Sequence, residues 1–176
     1  MKSCIAYMKR LVVIVLLLQL SWFAEADPVK QVVTLPHEQA MERTVVAAVN
    51  EYRAKRGLPR LTMNPIIARE AKIHSLDMER KRISFGHQYF GTRIKHIYGK
   101  IKYCNGGSEN VAWFPPNKSP RDVVALWLTS SGHCRNILGH YNLTGVGIVR
   151  DKRGWLYYTQ IFIKTENTTV GHFGTK

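Results

Sequence analysis

The spacing of apolar positions predicts two helices in the first half of the chain. In residues 37–56, apolar residues recur every three or four positions with charged residues between them, and Gly57 marks the end of the stretch. The next stretch, residues 65–82, has a less regular pattern, but Asn64 suits a helix cap and Pro65 suits the first helical position. We therefore expect two consecutive helices with a short connection.

The middle of the chain has little periodicity until a strongly apolar run begins. Residues 83–118 combine glycines, prolines and basic residues, which predicts a mostly irregular segment. Ser119 and Asp122 then fit a capping box, with Pro120 at the first helical position, ahead of the apolar sequence "VVALWL". A helix that is apolar on all sides is typical of a protein interior, so we expect this helix to be buried.

The pattern becomes that of strands near the carboxyl end. Residues 143–149 and 155–163 are rich in β-branched and aromatic side chains, and residues 151–154 between them end in glycine. These features predict a β-hairpin with a four-residue loop. The order of helices, an irregular middle, another helix and a hairpin predicts the α+β fold class.

The amino-terminal residues have the features of an export signal. Lys9 and Arg10 precede an apolar run at residues 11–20, and the small residues Ala24 and Ala26 stand at the two positions that a signal peptidase reads. The apolar run is shorter than the roughly 20 residues that a membrane-spanning helix needs. We therefore expect a signal peptide, residues 1–26, cleaved after Ala26, and a mature protein that is secreted to the extracellular space or the periplasm.

The mature chain has the size of one domain and a strong positive charge. We expect an extension at residues 27–36, one domain at 37–164 and a flexible tail at 165–176. The mature chain contains 23 basic and 11 acidic residues, a net charge of +12. Such a charge favours anionic membrane or cell-wall surfaces as partners, and export argues against nucleic acid.

Three polar residues stand at otherwise apolar junctions and are the candidates for chemistry. They are His87 in "FGHQYF", Glu109 in "GGSENVAW" and His133 in "SGHCRNIL". The sequence "HEQAM" lacks the second histidine of a zinc protease motif, and the chain contains neither a G-x-S-x-G elbow nor a phosphate-binding glycine loop. The aromatic residues of the second half are interpreted as packing residues.

The two cysteines of the mature chain, Cys104 and Cys134, predict a disulfide because the protein is expected to be exported. Closing this loop would contribute about 3 to 4 kcal/mol in the chain-entropy model. An alternative is a four-ligand zinc site built from both cysteines together with His87 and His133.

Several motifs together resemble a known family. They are "GLPRLTMNPIIAREAKIHSLDM", "FGHQYFGTR", "SENVAW", "WLTSSGHCRNIL", "TGVGIV" and "YYTQIF". In this order and spacing, residues 41–162 resemble the CAP superfamily, which includes cysteine-rich secretory proteins, antigen 5 proteins and pathogenesis-related proteins. The compact form is most similar to the short microbial members. The resemblance implies a three-layer α-β-α sandwich with a small antiparallel sheet and a central cleft.

The resemblance also implies a set of cleft residues. His87 and His133 would be the two histidines that face each other in the family, and Glu109 one of its two glutamates. Ser130 stands where longer members have the second glutamate, so the set is incomplete. His87 and His133 would then hold zinc or another divalent cation weakly. Family members also suggest a lipid or sterol ligand.

Three functions are compatible with these residues. The first is a non-enzymatic secreted binding module, in which Glu109 serves mainly as a hydrogen-bonding hub. The second is a metal-assisted hydrolase in which zinc on His87 and His133 polarises water and Glu109 is the general base. The third is a cationic protein that adheres to anionic membranes or cell wall.

Overall fold

The computed structural model describes residues 35–166. The expected signal peptide, the extension before residue 35 and the tail after residue 166 lie outside this range. Between residues 35 and 166, no helix is both long enough and apolar enough to cross a membrane.

The two predicted amino-terminal helices are present. Helix α1 spans Pro36–Ala54, and helix α2 spans Pro65–Glu79. The Asn64 side chain caps α2 as predicted, because its Oδ1 accepts hydrogen bonds from the backbone N–H groups of Ile66 and Ile67. The second helix ends about three residues earlier than its sequence pattern indicated, at a turn in which Lys81 adopts a left-handed backbone conformation.

The expectation of a mostly irregular middle segment is wrong. It contains helix α3, Phe90–Tyr98, and the 11-residue strand β2, Cys104–Phe114. The strand was missed because its buried positions include Glu109 and Asn110. Their partners lie far away in the sequence, so the hydrophobic pattern alone does not indicate a strand.

The apolar run forms helix α4, Pro120–Thr129, and the capping box between Ser119 and Asp122 is confirmed. The expectation that α4 is buried on all sides is wrong. Leu126 is 49% exposed, and one side alone, which carries Val123, Val124 and Trp127, is buried. After Ser130 the chain forms a further short helix, α5, Ser131–Leu138.

The predicted hairpin is confirmed as strands β3, Leu143–Arg150, and β4, Leu156–Thr165. Its loop has five residues instead of four, since Arg150 pairs with Leu156. The Asp151 side chain closes the loop by accepting hydrogen bonds from the backbone N–H groups of Arg153 and Trp155.

Within residues 35–166, four strands form one sheet in the order β1-β3-β4-β2, where β1 is the short segment Thr62–Met63. The β1–β3 pair is parallel and the other two pairs are antiparallel. Helices α2 and α3 pack on one face of the sheet, and α1, α4 and α5 pack on the other. The chain therefore has the α-β-α sandwich that the resemblance implied.

Each apolar layer has its own core. The larger core lies between the sheet and helices α1, α4 and α5, and includes Trp127, Tyr158 and Phe162. The smaller core lies under α2 and α3, and contains Ile67, Ala71, Ile97, Ile161 and Ile163. Alternate residues of β4 supply the two cores because successive side chains of a strand point to opposite faces.

Side chains cover both edges of the sheet where no strand lies beside them. At the β2 edge, Trp127 donates from Nε1 to the Val111 carbonyl at 3.1 Å, and Asn136 donates to the Glu109 carbonyl at 3.1 Å. At the β3 edge, Glu42 accepts from the N–H of Ile148 at 3.1 Å, and the Lys72 ammonium donates to the carbonyl of the same residue. These bonds satisfy backbone groups that an open edge would leave unpaired.

The predicted disulfide is not formed, and Cys104 and Cys134 are free thiols. Cys104 begins β2, whereas α5, which carries Cys134, packs beside Asn110 in the middle of the same strand. Six residues of extended strand span about 20 Å, much farther than the roughly 7 Å that a disulfide tolerates between Cα atoms. The same separation rules out the four-ligand zinc site with His87 and His133.

Candidate functional site

Glu109 is the centre of the candidate site. Its carboxylate projects from the edge strand β2 towards α2 and α3, and its side chain is 1% exposed. Arg93 in α3 binds it in a bidentate manner, with Nε 2.9 Å from Oε2 and Nη2 2.8 Å from Oε1. This planar pairing is one of the stronger polar contacts available to a buried carboxylate.

His87 binds the same carboxylate from the loop between α2 and α3. Its Nδ1 lies 2.9 Å from Oε1 of Glu109. Burial favours a higher pKa for Glu109, but hydrogen bonds from His87 and Arg93, together with the positive charge of Arg93, hold the pKa below its ordinary value. Because the carboxylate is ionised, His87 must donate from Nδ1. In the neutral imidazole, Nε2 is then an acceptor on a side chain that is 51% exposed.

His74 lies in α2, beneath the carboxylate. Its Nδ1 is 3.1 Å from the Thr159 hydroxyl and 3.6 Å from Oε2 of Glu109. Burial lowers the pKa of His74 to about 4, although the negative charge of Glu109 acts in the opposite direction. Its Nε2 is buried and has no hydrogen-bond partner among the described residues. His74 is therefore a neutral core histidine.

His133 reaches the site from the other layer. It lies in the first turn of α5, where its backbone carbonyl accepts a hydrogen bond from the Asn110 side chain at 3.2 Å, and its ring is 6.4 Å from that of Trp127. Burial, followed by the charge of His87, lowers the pKa of His133. His87 contacts Glu109, and the backbone of His133 contacts Asn110, the next residue of β2. That the two imidazoles share one cation stays a prediction of the motifs.

Ser130 is the junction between α4 and α5. Its backbone is extended, its N–H donates to the Trp127 carbonyl, and its carbonyl accepts from the N–H of Cys134. Within residues 35–166, no hydrogen bond joins its hydroxyl to His87, Glu109 or His133. Ser130 therefore sets the start of α5 and supplies no carboxylate to the site.

Two imidazoles are the groups that could hold a metal ion. Within the described part of the chain, no three His, Cys, Asp or Glu residues are grouped to hold one. Glu109 is occupied by its bonds to Arg93 and His87, and the arginine beside it disfavours a second cation on that carboxylate. Nitrogen atoms of His87 and His133 would be the protein ligands of a divalent ion here, with water in the remaining positions.

Sequence reasoning identified the two histidines and Glu109, but it missed Arg93 and gave no functional role to His74. Arg93 lies six residues after His87, inside the quoted motif "FGHQYFGTR", yet nothing in its immediate neighbours distinguishes it from the other basic residues of α3. A lone arginine on a short amphipathic helix is usually a surface residue. The buried position of Glu109 requires a cation, and that requirement is the signal that could have indicated Arg93.

Comparison with known sequences gives two matches. A model described as the CAP, cysteine-rich secretory protein, family matches residues 46–162. The uncharacterized protein YkwD of Bacillus subtilis (strain 168) is 36% identical over 129 residues, which cover 70% of this chain and 47% of the relative. The chain thus spans about half the length of the curated relative it matches.

Comparison with solved structures gives the same architecture. An extracellular protein from Bacillus anthracis that contains an SCP domain superposes with a TM-score of 0.59 at 27% identity, covering 77% of this chain and 45% of the other. An outer surface protein from Borrelia burgdorferi superposes with a TM-score of 0.63 at 18% identity, covering 76% of this chain and 97% of the other. The second likeness is one of fold alone.

Proposed function

The chain belongs to the CAP family of cysteine-rich secretory proteins, and from that premise we propose that it is an extracellular binding protein, not an enzyme, with a weak divalent-cation site at His87 and His133. The related structures described as extracellular or outer surface proteins support the location. The proposal keeps the first of the three functions that the sequence allowed.

The state of Glu109 is the observation that carries the proposal. A general base must have an accessible carboxylate with a pKa near the working pH. Glu109 is buried, both of its oxygens bind Arg93, one also binds His87, and its pKa is lowered. A carboxylate held in this way is a poor proton acceptor, so the hydrolase function lacks its proposed base.

The same contacts orient His87 as a ligand. A carboxylate that accepts from one imidazole nitrogen fixes the tautomer and turns the other nitrogen outward, as second-shell carboxylates do at metal sites. Glu109 has this relation to His87, and Arg93 holds Glu109 in place. A bound divalent cation would supply positive charge and open coordination positions for oxygen atoms of a ligand. Glu109 thus positions His87 and does not react.

Calorimetric zinc titration of the full chain tests the proposal. We expect one-to-one binding that is lost in both His87→Ala and His133→Ala. His140→Ala is the matched control, because His140 is an exposed histidine outside the site, and it should bind zinc like the parent. Zinc binding that persists in both site variants, or no zinc binding by the parent, would remove the cation site from the proposal.

An activity screen tests the non-enzymatic part. Peptide, ester and glycan panels with the zinc-loaded chain should show no turnover above that of His87→Ala. Turnover that disappears in both His133→Ala and Glu109→Gln would restore the hydrolase function. The lipid or sterol ligand stays a prediction of the family resemblance, and uptake of labelled sterol by delipidated protein is its measurement.

A further inference from the structure

A pocket of about 520 Å³ lies outside the cation site, between the α2–α3 loop and the start of β4. The residues that line it and bear on its chemistry are Lys81, Arg82, Ser84, Phe85, Gln88 and Tyr157. His87, Glu109 and His133 do not line it. The cation site therefore does not account for this pocket.

Among residues 35–166, Lys81 is a cation at this pocket that lacks an ion-pair partner. Arg82 pairs with Asp77, with Nη1 3.2 Å from Oδ1. Lys81 has no ion-pair partner among residues 35–166, although its backbone is fixed by a hydrogen bond from its N–H to the Met78 carbonyl at 3.1 Å. A fixed backbone with an uncompensated ammonium favours an anionic group in the pocket.

The backbone of Lys81 is strained, and a role for its side chain would explain why a lysine occupies this position. Its φ of 56° lies in the left-handed region, at the position after α2 where glycine is the usual residue. A non-glycine residue there costs on the order of 1 kcal/mol. Glycine at this position would end the helix more favourably than lysine does. A role for the Lys81 ammonium would explain why lysine is found there instead.

Aromatic side chains extend from the pocket along the sheet. Tyr157 lines the pocket and pairs directly with Trp113 across β4 and β2, with ring centroids 6.2 Å apart. Trp113 also lies 4.4 Å from Trp155 and remains 45% exposed, and Phe85 at the pocket is 54% exposed. Open aromatic faces of this kind stack on the C–H faces of sugar rings. The sequence interpretation of Trp113 and Trp155 as packing residues accounts for only part of their surface.

Polar groups at the pocket match sugar hydroxyls. The Gln88 side chain accepts a hydrogen bond from the Ser84 N–H at 3.2 Å, which orients its amide group so that the NH₂ can donate to a ligand. The Gln88 carbonyl is in turn held by Arg93, with Nη1 2.6 Å away. The loop thus presents a donor, an ammonium and aromatic faces together.

We propose that this pocket binds an acidic oligosaccharide, with its carboxylate or phosphate on Lys81, a sugar hydroxyl on Gln88 and sugar rings against Tyr157 and Phe85. A membrane surface is the less favoured partner because Lys81, Arg82, Ser84 and Gln88 interrupt the apolar and aromatic lining formed by Met78, Ile83, Phe85 and Tyr157. Membrane docking requires a continuous apolar surface.

The test compares four probes with the full chain at physiological salt. They are an oligogalacturonate, a hexose phosphate, a neutral maltooligosaccharide and phosphatidylglycerol vesicles. We expect the oligogalacturonate or the hexose phosphate to bind, with the difference between them identifying the anionic group, and the neutral sugar to bind at least about tenfold more weakly. Equal binding of the neutral sugar, retention on vesicles alone, or no binding to any probe would overturn the proposal.

Lys81→Gly is the decisive variant. It removes the ammonium and relieves the left-handed strain, so it should fold at least as stably as the parent while losing at least about tenfold in affinity for the acidic sugar. Lys55→Ala removes an equal charge from an exposed position at the end of α1 and should bind like the parent. Phe85→Ser should also weaken binding. Parent-like affinity in Lys81→Gly would contradict the proposal.

Discussion

At the scale of single residues, the buried pair of Arg93 and Glu109 determines what the candidate site can do. Each side chain is nearly inaccessible, and each would be an unpaired charge if its partner were lost. The pair leaves Glu109 able to orient His87 but not to accept protons. The contact between Arg93 and Glu109 therefore has two consequences. It compensates the buried charges, and it prevents Glu109 from acting as a base.

Removing one member of this pair should be costly. Arg93→Met leaves the Glu109 carboxylate buried without its cation, and we expect the free energy of unfolding to fall by about 3 to 5 kcal/mol in urea denaturation. Arg121→Met, which breaks the solvent-exposed bidentate pair with Glu51, is the matched control and should leave the unfolding midpoint unchanged. Equal effects of the two substitutions would contradict the account.

Residue identity could be predicted where a motif carried it. His87, Glu109 and His133 stand in recognisable local patterns, so the motifs selected them as candidates, and their shared role stays a prediction. Arg93 and His74 stand in no such pattern, because their contacts with Glu109 depend on how their helices pack against the sheet. The predicted disulfide was wrong for a related reason. It was based on expected export and on the presence of two cysteines, and neither specifies how far apart the cysteines lie in the fold.

At the scale of elements, the contact between α2 and β3 depends on the absence of side chains. A Cβ at Gly147 would lie 2.1 Å from the backbone nitrogen of Lys72, and one at Gly145 equally close to that of Ala68. The helix therefore rests directly on the strand, and this close approach places His74 against Thr159. Glycines in the hairpin motif "LTGVGIV" were visible in the sequence, but their role required the helix position.

Gly147→Ala should separate these elements. Because the new Cβ meets helix backbone, which cannot rotate away, we expect a loss of more than about 2 kcal/mol in unfolding free energy. Gly91→Ala provides the comparison, since Gly91 is helical and no atom lies within 4 Å of its added Cβ. That control should be neutral or stabilising by up to about 1 kcal/mol. A mild effect of Gly147→Ala would show that α2 is not seated on β3 as described.

The cluster at the β3 edge should make stability depend on pH. Burial raises the pKa of Glu42 from 4.5 to about 7, while the Ile148 N–H and Lys72 act against the increase and Glu38 adds to it. The folded pKa is the higher one, so the stabilisation is complete below about pH 4.5 and is lost as the pH rises through about 7. His74 acts in the opposite sense, because its lowered pKa removes stability as the pH falls from 6.5 towards 4.

Glu42→Gln separates the two effects. Glutamine keeps an acceptor for the Ile148 N–H but does not titrate, so its unfolding free energy relative to the parent should increase by about 3 kcal/mol from pH 4.5 to above pH 7. Urea denaturation of both proteins across this range is the measurement. Parallel curves would show that Glu42 has an ordinary pKa in the folded protein.

At the scale of the whole molecule, the sandwich is held by two cores and two covered sheet edges, with no cross-link in the described residues. The class of fold and the hairpin were predictable because apolar periodicity and turn residues are local. Helix α3 and strand β2 were not predictable in the same way, since buried polar side chains interrupt their apolar patterns. The site lies at that less predictable edge, where both helical layers meet β2.

The absence of a disulfide has a direct consequence for stability. A reducing agent should leave the thermal unfolding midpoint unchanged, because Cys104 and Cys134 are already thiols. The measurement is a pair of melting curves with and without dithiothreitol. A bond across a loop of this length contributes about 3 to 4 kcal/mol in the entropy model, so a fall of several degrees on reduction would reinstate the disulfide.

The central claim is that Glu109 fixes His87 in the tautomer that turns Nε2 towards a cation shared with His133. Long-range ¹H–¹⁵N NMR of the labelled full chain, at mildly alkaline pH with and without zinc, tests it directly. We predict that His87 carries its proton on Nδ1, and that zinc shifts His87 Nε2 together with a ring nitrogen of His133 while leaving His74 unchanged. A proton on Nε2 of His87, or zinc-insensitive resonances of both site histidines, would contradict the claim.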